Sequence, residues 1–187
     1  MAHDVAVLVG SLRRDSFSLR LAQALTSLAP DTIALRIVPI GELPLYNQDL
    51  EDEQPPEPWV AFRQSMNKAD AVLFVTPEYN RSVPAALKNA IDVGSRPYGK
   101  SVFEKKPAAV ISQSPGAVGG FGANHALRHS LVFLDMPTMQ MPEVYLGNSA
   151  KVLGVGGEVL DDRAKALLAK FIETFATWVD TFAAKPN

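Results

Sequence analysis

Short apolar runs alternate along the chain with longer segments of helical period. Val5–Val9 is continuously apolar and ends at Gly10, the pattern of a strand covered on both faces. Ser16–Ala29 follows, with Leu21, Ala24, Leu25 and Leu28 on one helical face. Further strands are predicted over Thr32–Val38, Asp70–Val75, Ala108–Ser112 and Thr138–Val144. Helices are predicted over Trp59–Lys68, over about Val83–Val93, and from the glycine-rich segment to about Leu134. The last helix is the clearest. Asp161 or Asp162 caps it, and Ala164, Leu168, Phe171, Ile172, Phe175 and Val179 recur at i, i+3, i+4 spacing. Asn47–Pro58 is polar and proline-rich and reads as a surface loop; Val152–Leu160, broken by three glycines, reads as a small hairpin or loop. Five strands alternating with about five helices predict one α/β domain over residues 1–187, with a parallel sheet and helices on both faces.

In such a sheet, ligands sit at the carboxyl ends of the strands near the point where strand order reverses. Three loops therefore carry the functional reading. The loop Gly10–Ser18 joins the first strand to a helix N-terminus, where free amides and the helix dipole favour an anion. Its Ser11, Ser16, Ser18 and Arg13 suit a dianionic monophosphate. The GxGxxG pattern of a pyrophosphate site is absent. A plain helix cap at Ser16 accounts for the same serine, and Asp15 is expected to point away. The loop Thr76–Pro84 places Tyr79 directly after a buried strand, where an aromatic flanks a planar ligand. Asn80 and the backbone amides there offer hydrogen bonds to a heterocycle edge; a turn capped by Ser82 is the simpler reading. The loop Ser112–Gly120, with Gly116, Gly119 and Gly120, leaves room for something flat against the backbone, or is merely flexible.

Bulk properties exclude several classes. The chain has 187 residues, 47% hydrophobic and 20% charged, with no cysteine. Disulfides, thiolate catalysis and cysteine-held metals or clusters are thereby excluded. The net charge of -2 and the lack of a basic tract disfavour nucleic acid and anionic membranes. Neither a signal peptide nor a membrane span is evident, so a soluble cytoplasmic protein is expected. His3, His125 and His129 group with no serine or carboxylate, and no GxSxG elbow is present. Gly94–Ser101 matches the string GxxxxGK[ST], but it follows a helix instead of a strand and leaves no room for a helix before the next strand. Asn80-Arg81-Ser82 is a glycosylation sequon that a chain without a secretion signal does not expose to that machinery.

Gly10-Ser11-Leu12-Arg13 with Ser16, then Pro77-Glu78-Tyr79-Asn80 with Ser82 and Pro84, then Leu87–Asp92 and the Gly116–Gly120 loop resemble the NADPH-dependent FMN reductase family. The similarity runs through nearly the whole chain and is strongest to the chromate and quinone reductase branch. It implies a flavodoxin-like fold with a five-stranded parallel sheet in the order 2-1-3-4-5, and one FMN per subunit. It implies that Ser11, Arg13, Ser16 and Ser18 hold the phosphate with Phe17 beside it, and that Pro77, Glu78, Tyr79 and Asn80 wrap the isoalloxazine. Ser82 belongs to the same motif. Ser112, Gln113, Ser114, Gly116 and Gly119 are expected along the other side of the ring. Many members carry asparagine where this chain has Ser18, and an aromatic where it has Arg81. The resemblance further implies NADPH or NADH as electron donor, stacking on a ring face left open by Gly119 and Gly120. The expected reaction is ping-pong hydride transfer to FMN and onward to a small acceptor: quinone, chromate, azo or nitro compound, or flavin. No acid–base triad is expected. A homodimer or homotetramer is implied, with Arg128 and Glu143 in a tetramer contact. The alternatives are a flavodoxin-type FMN electron carrier without reductase activity of its own, and a Rossmann-type protein binding NAD alone.

Overall fold

The computed structural model describes residues 1–183; the last four residues of the expected domain, 184–187, lie outside them. In chain order the elements are β1 (His3–Val9), α1 (Phe17–Leu28), β2 (Ile33–Ile37), α2 (Gln48–Glu53), α3 (Glu57–Asn67) and β3 (Ala71–Thr76). They continue with α4 (Ala85–Gly94), β4 (Ala108–Gln113), α5 (Phe121–Phe133), β5 (Val144–Leu146), α6 (Ser149–Val152) and α7 (Asp162–Phe182). The five strands are all parallel and lie in the order β2-β1-β3-β4-β5. This is the flavodoxin-like order, not the 3-2-1-4-5-6 arrangement of a dinucleotide-binding sheet.

Alternation along each strand explains why both faces are covered. Val5, Val7 and Val9 of β1 point into one core with Leu21 and Leu25 of α1 and Phe171, Ile172 and Phe175 of α7. Ala6 and Leu8 point into the other, with Trp59 and Phe62 of α3, Leu87 of α4 and Leu131 of α5. A period of two serves two apolar layers at once, so the strands read as unbroken hydrophobic runs. β3 and β4 are buried at every position.

Three sequence expectations change. The pattern predicts the fifth strand over Thr138–Val144; the strand covers Val144–Leu146, and Thr138 makes only an isolated parallel bridge to Ala108. Pro142, which has no N–H to give a ladder, separates the two contacts. The Asn47–Pro58 loop contains α2, a helix with no buried residue and hence no apolar period to read. Asn47 caps it by accepting from the Asp49 N–H at 3.0 Å, and Glu51 pairs with Arg63 of α3. Ser82 does not cap α4, whose N-cap is Pro84. The expected small hairpin at Val152–Leu160 is present: it begins with the end of α6, and Leu153 is bridged to Val159. The Gly94–Ser101 string has no helix after it before β4, and a Cβ at Gly94 would lie 2.5 Å from the Phe103 ring. That glycine serves packing. Among the described residues no helix is long and apolar enough to cross a membrane.

The α7 face carries the largest single share of one core. Phe171 is fully buried there, so Phe171→Ala is expected to cost about 3–5 kcal/mol in denaturant unfolding of the protein. A cost below about 1 kcal/mol would contradict this placement of α7.

Candidate cofactor site

Register at the carboxyl edge brings the first two loops together. β1 pairs with β3 from Val5↔Ala71 to Val9↔Val75, and the ladder ends with Gly10 N–H donating to the Val75 carbonyl at 2.8 Å. A Cβ on Gly10 would lie 3.0 Å from Pro77 Cδ, a tight contact that glycine relieves. β3 pairs with β4 as far as Thr76↔Ser112, which sets the third loop beside the second.

The three loops enclose a cavity of about 300 Å3. The first loop contributes Ser11, Arg13, Ser16 and Phe17; the second contributes Pro77, Glu78 and Tyr79. Gln113, Ser114 and Pro115 close the third side. Ser16 is the α1 N-cap: its Oγ accepts from the Leu19 N–H at 3.0 Å, which leaves its own O–H to donate. Hydroxyl donors, a guanidinium and the start of a twelve-residue helix thus meet at one end, the chemistry of a phosphate site. Phe17, Pro77, Tyr79 and Pro115 supply flat or apolar wall.

Several expected residues take other roles. Ser18 is fully buried; its hydroxyl accepts from Gln113 Nε2 at 2.9 Å and does not line the cavity. With Nε2 so engaged, the buried Gln113 Oε1 has no partner. A buried acceptor of this kind calls for a donor, and a ribityl hydroxyl or ring N–H of FMN is such a donor. Ser112 is also fully buried, and its Oγ accepts from Asn124 Nδ2 at 3.3 Å. Asn80 and Arg81 both have positive φ, and Tyr79 and Ser82 exchange two backbone hydrogen bonds across them. The result is a tight hairpin turn of the primed type; the Asn80 and Ser82 side chains are outside the cavity lining.

The glycine loop is tied down rather than flexible. Gly116 N–H donates to Ser114 Oγ at 3.0 Å, and its carbonyl accepts from the Asn148 N–H at 3.0 Å. Gly119 and Gly120 do not open a ring face. Both are buried with positive φ, and a Cβ on Gly119 would run into the Tyr145 backbone. They let the loop cross β5 and enter α5.

Glu78 has a role that its motif does not announce. Gly120, the α5 N-cap, has no side chain, and Glu78 Oε2 accepts from the Ala123 N–H at 3.1 Å in the first turn of α5. A carboxylate satisfies an otherwise free amide and complements the dipole there. The second loop is thereby bolted to the helix that follows the third. Pro115 is a lining residue that sequence reasoning passed over; its place beside Gln113 in the same loop was the available signal. Asp15 turns away from the cavity as expected, onto Arg20.

Farther along α5, Arg128 donates to Asn124 Oδ1 at 2.9 Å and to the Met139 carbonyl at 2.8 Å, while its buried Nη2 has no partner. Burial pulls its pKa below the ordinary value, against the opposing pull of Glu143 and Tyr145. The Tyr145 hydroxyl, 3.0 Å from His125 Nε2, is pushed up to about 12, first by burial and then by the neighbouring Glu143 carboxylate.

The sequence model of the NADPH-dependent FMN reductases matches residues 3–151. The chain belongs to that family. It is 61% identical over 177 residues to a quinone reductase of Pseudomonas putida, covering 95% of both chains. It is 46% identical to a 2-hydroxy-1,4-benzoquinone reductase of a Burkholderia species, covering 96% of this chain and 97% of the relative. Among solved structures it resembles the flavoenzyme NAD(P)H:(acceptor) oxidoreductase FerB of Paracoccus denitrificans, with a TM-score of 0.92 and 39% identity over 98% of this chain and 100% of that one. The protein is an oxidoreductase with FMN as cofactor and NAD(P)H as electron donor. That sets aside both the carrier without reductase activity and the protein binding NAD alone.

Ser16 is both a cap and a cavity residue, and the two roles separate. Ser16→Ala is expected to lower unfolding free energy by about 1 kcal/mol, whereas Ser16→Asp, which still caps, retains it. Equal losses in the two variants, measured by urea unfolding, would contradict the cap.

Proposed function

We propose that the chain is an NAD(P)H:quinone reductase working by a ping-pong sequence, with residues 1–187 forming one FMN-binding domain. The observation that carries this is the cavity where anion donors at one end give way to flat walls at the other. When bound, FMN supplies a ring that takes hydride from the nicotinamide and returns electrons to an acceptor, while the protein contributes binding and orientation. Ser11, Arg13 and Ser16 hold the phosphate. Tyr79 and Pro77 support the ring from one side, and Gln113 accepts from a flavin hydroxyl or N–H. Ser18 acts through Gln113, fixing its amide. Glu78 holds the second loop in place through Ala123.

Quinone is the favoured acceptor because relatives that match this chain nearly end to end are quinone reductases. Chromate, azo and nitro compounds and free flavin are further acceptors in this reading. Residues lining the site carry no acid–base triad, which suits a reaction in which the flavin moves the electrons. NAD(P)H is the reductant of the cytoplasm, and there we place the enzyme. A homodimer or homotetramer follows the family pattern. Arg128 borders a shallow surface with His125, His129 and the exposed Val132, and there we place the subunit contact.

Steady-state kinetics test the reaction. Purified holoprotein is expected to sustain turnover of NADH or NADPH when a benzoquinone is supplied, with parallel double-reciprocal lines. Intersecting lines would contradict the ping-pong order, and a flavin that reduced nicotinamide leaves oxidised would contradict the reductase reading. Ser11→Ala removes one hydrogen bond to a charged group, worth about 1.5–3 kcal/mol, so FMN affinity is expected to fall roughly 10- to 100-fold. Unchanged retention would overturn the phosphate assignment. For the assembly, Arg128→Ala is expected to lower the mass measured by sedimentation; an unchanged mass would remove that contact.

A further inference from the structure

Asp15 is an awkward residue for a phosphate loop. It lies between Arg14 and Ser16, one residue from a serine that lines the cavity. A carboxylate this close repels a dianion, and it also competes for the exposed side chain of Arg13. Here Asp15 pairs with a different arginine. Asp15 is gripped by Arg20, one turn into α1: Nε donates to Oδ1 at 2.8 Å, and Nη2 reaches Oδ1 at 2.6 Å and Oδ2 at 2.7 Å.

Arg20 is itself held from two other sides. Nη1 donates to the Leu153 carbonyl at 3.2 Å, and the guanidinium lies 5.2 Å from the centroid of the Phe17 ring, a wall of the cavity. Its side chain is 13% exposed, against 65% for Asp15. Most surface ion pairs are weak because two mobile chains must be ordered; here the cation is already ordered and its planar fork matches the carboxylate. Arg13 and Arg14 make no ion pair among the described residues.

We infer that Arg20 is a positioning residue for the cofactor's phosphate: it sequesters Asp15, so that Arg13 stays free to meet the anion. This rests on the reading of the Ser11–Ser16 loop as the phosphate site. It gives a charged pair outside the cavity a specific effect inside it. The effect belongs to the phosphate alone and is absent for a flavin that lacks one.

The test uses flavin-free protein prepared from purified holoprotein and titrated with FMN and with riboflavin by fluorescence quenching, at low and high ionic strength. Arg20→Gln is expected to weaken FMN about three- to tenfold and riboflavin not at all, with the difference shrinking in salt. Asp15→Asn alone leaves FMN affinity equal to or above the parent's. Asp15→Asn added to Arg20→Gln restores it. Unchanged FMN affinity in Arg20→Gln, an equal loss for both flavins, a loss in Asp15→Asn, or failure of the double variant to recover would each overturn the inference. Arg13→Gln separates this from the underlying reading. If it too leaves the ratio of FMN to riboflavin affinity unchanged, the loop is not the phosphate site and both fall. If it lowers that ratio while Arg20→Gln does not, the role of Arg20 alone is lost.

Discussion

Parallel pairing of β1 with β3 is the constraint on which the site depends. Two strands that run the same way release their following loops at the same edge, and the register from Val5↔Ala71 to Val9↔Val75 sets how close those loops lie. The pair holds its register because each strand must satisfy two apolar layers at once. A slip of one residue would send Val5, Val7 and Val9 toward α3 and α4, and Ala6 and Leu8 toward α1 and α7. The chain leaves β1 toward β2 on one side and returns to β3 on the other. The crevice between the outgoing loops is therefore a product of topology, and the polar residues only furnish it.

Furnishing it takes polar devices that act between loops rather than within them. Glu78 of the second loop caps the helix that follows the third. Gln113 of the third loop reaches Ser18 at the start of α1. Asp15 of the first is drawn back onto α1 by Arg20, which also reaches the 153–160 hairpin. Each spans a sequence gap that no local pattern records, except the five-residue step from Asp15 to Arg20. Together they fix the relative positions of three segments whose backbones make few hydrogen bonds to one another. A site held in this way is largely preformed, so less ordering is needed when the cofactor arrives.

The legible part of the sequence was the part governed by periodicity. Unbroken apolar runs identified β1, β3 and β4, and the i, i+3, i+4 stripe from Ala164 to Val179 identified α7. The N-cap at Ser16 and the cavity residues Ser11, Arg13 and Tyr79 were legible because strand ends and helix starts dictate where they lie, whereas Gln113 came through the family resemblance. What was missed depends on tertiary direction. β5 is only three residues long, and the Thr138 segment next to it is as apolar as a strand but broken at Pro142. α2 buries nothing and has no period. Ser18 differs from Ser16 by two helical positions, about 200° of rotation, which turns its hydroxyl from the cavity into the core. Gly119 reads as open space in sequence, yet it sits against the backbone of Tyr145.

The central claim is that one edge of the sheet seats FMN with its phosphate in the first loop and its ring between the second and third. Crystallography of the FMN-loaded protein tests this most directly. The account predicts phosphate oxygens within hydrogen-bond distance of Ser11, Arg13 and Ser16, the isoalloxazine against Tyr79, and a flavin donor on Gln113 Oε1. A phosphate seated away from the Ser11–Ser16 loop, with Gln113 Oε1 still unpartnered, would contradict it.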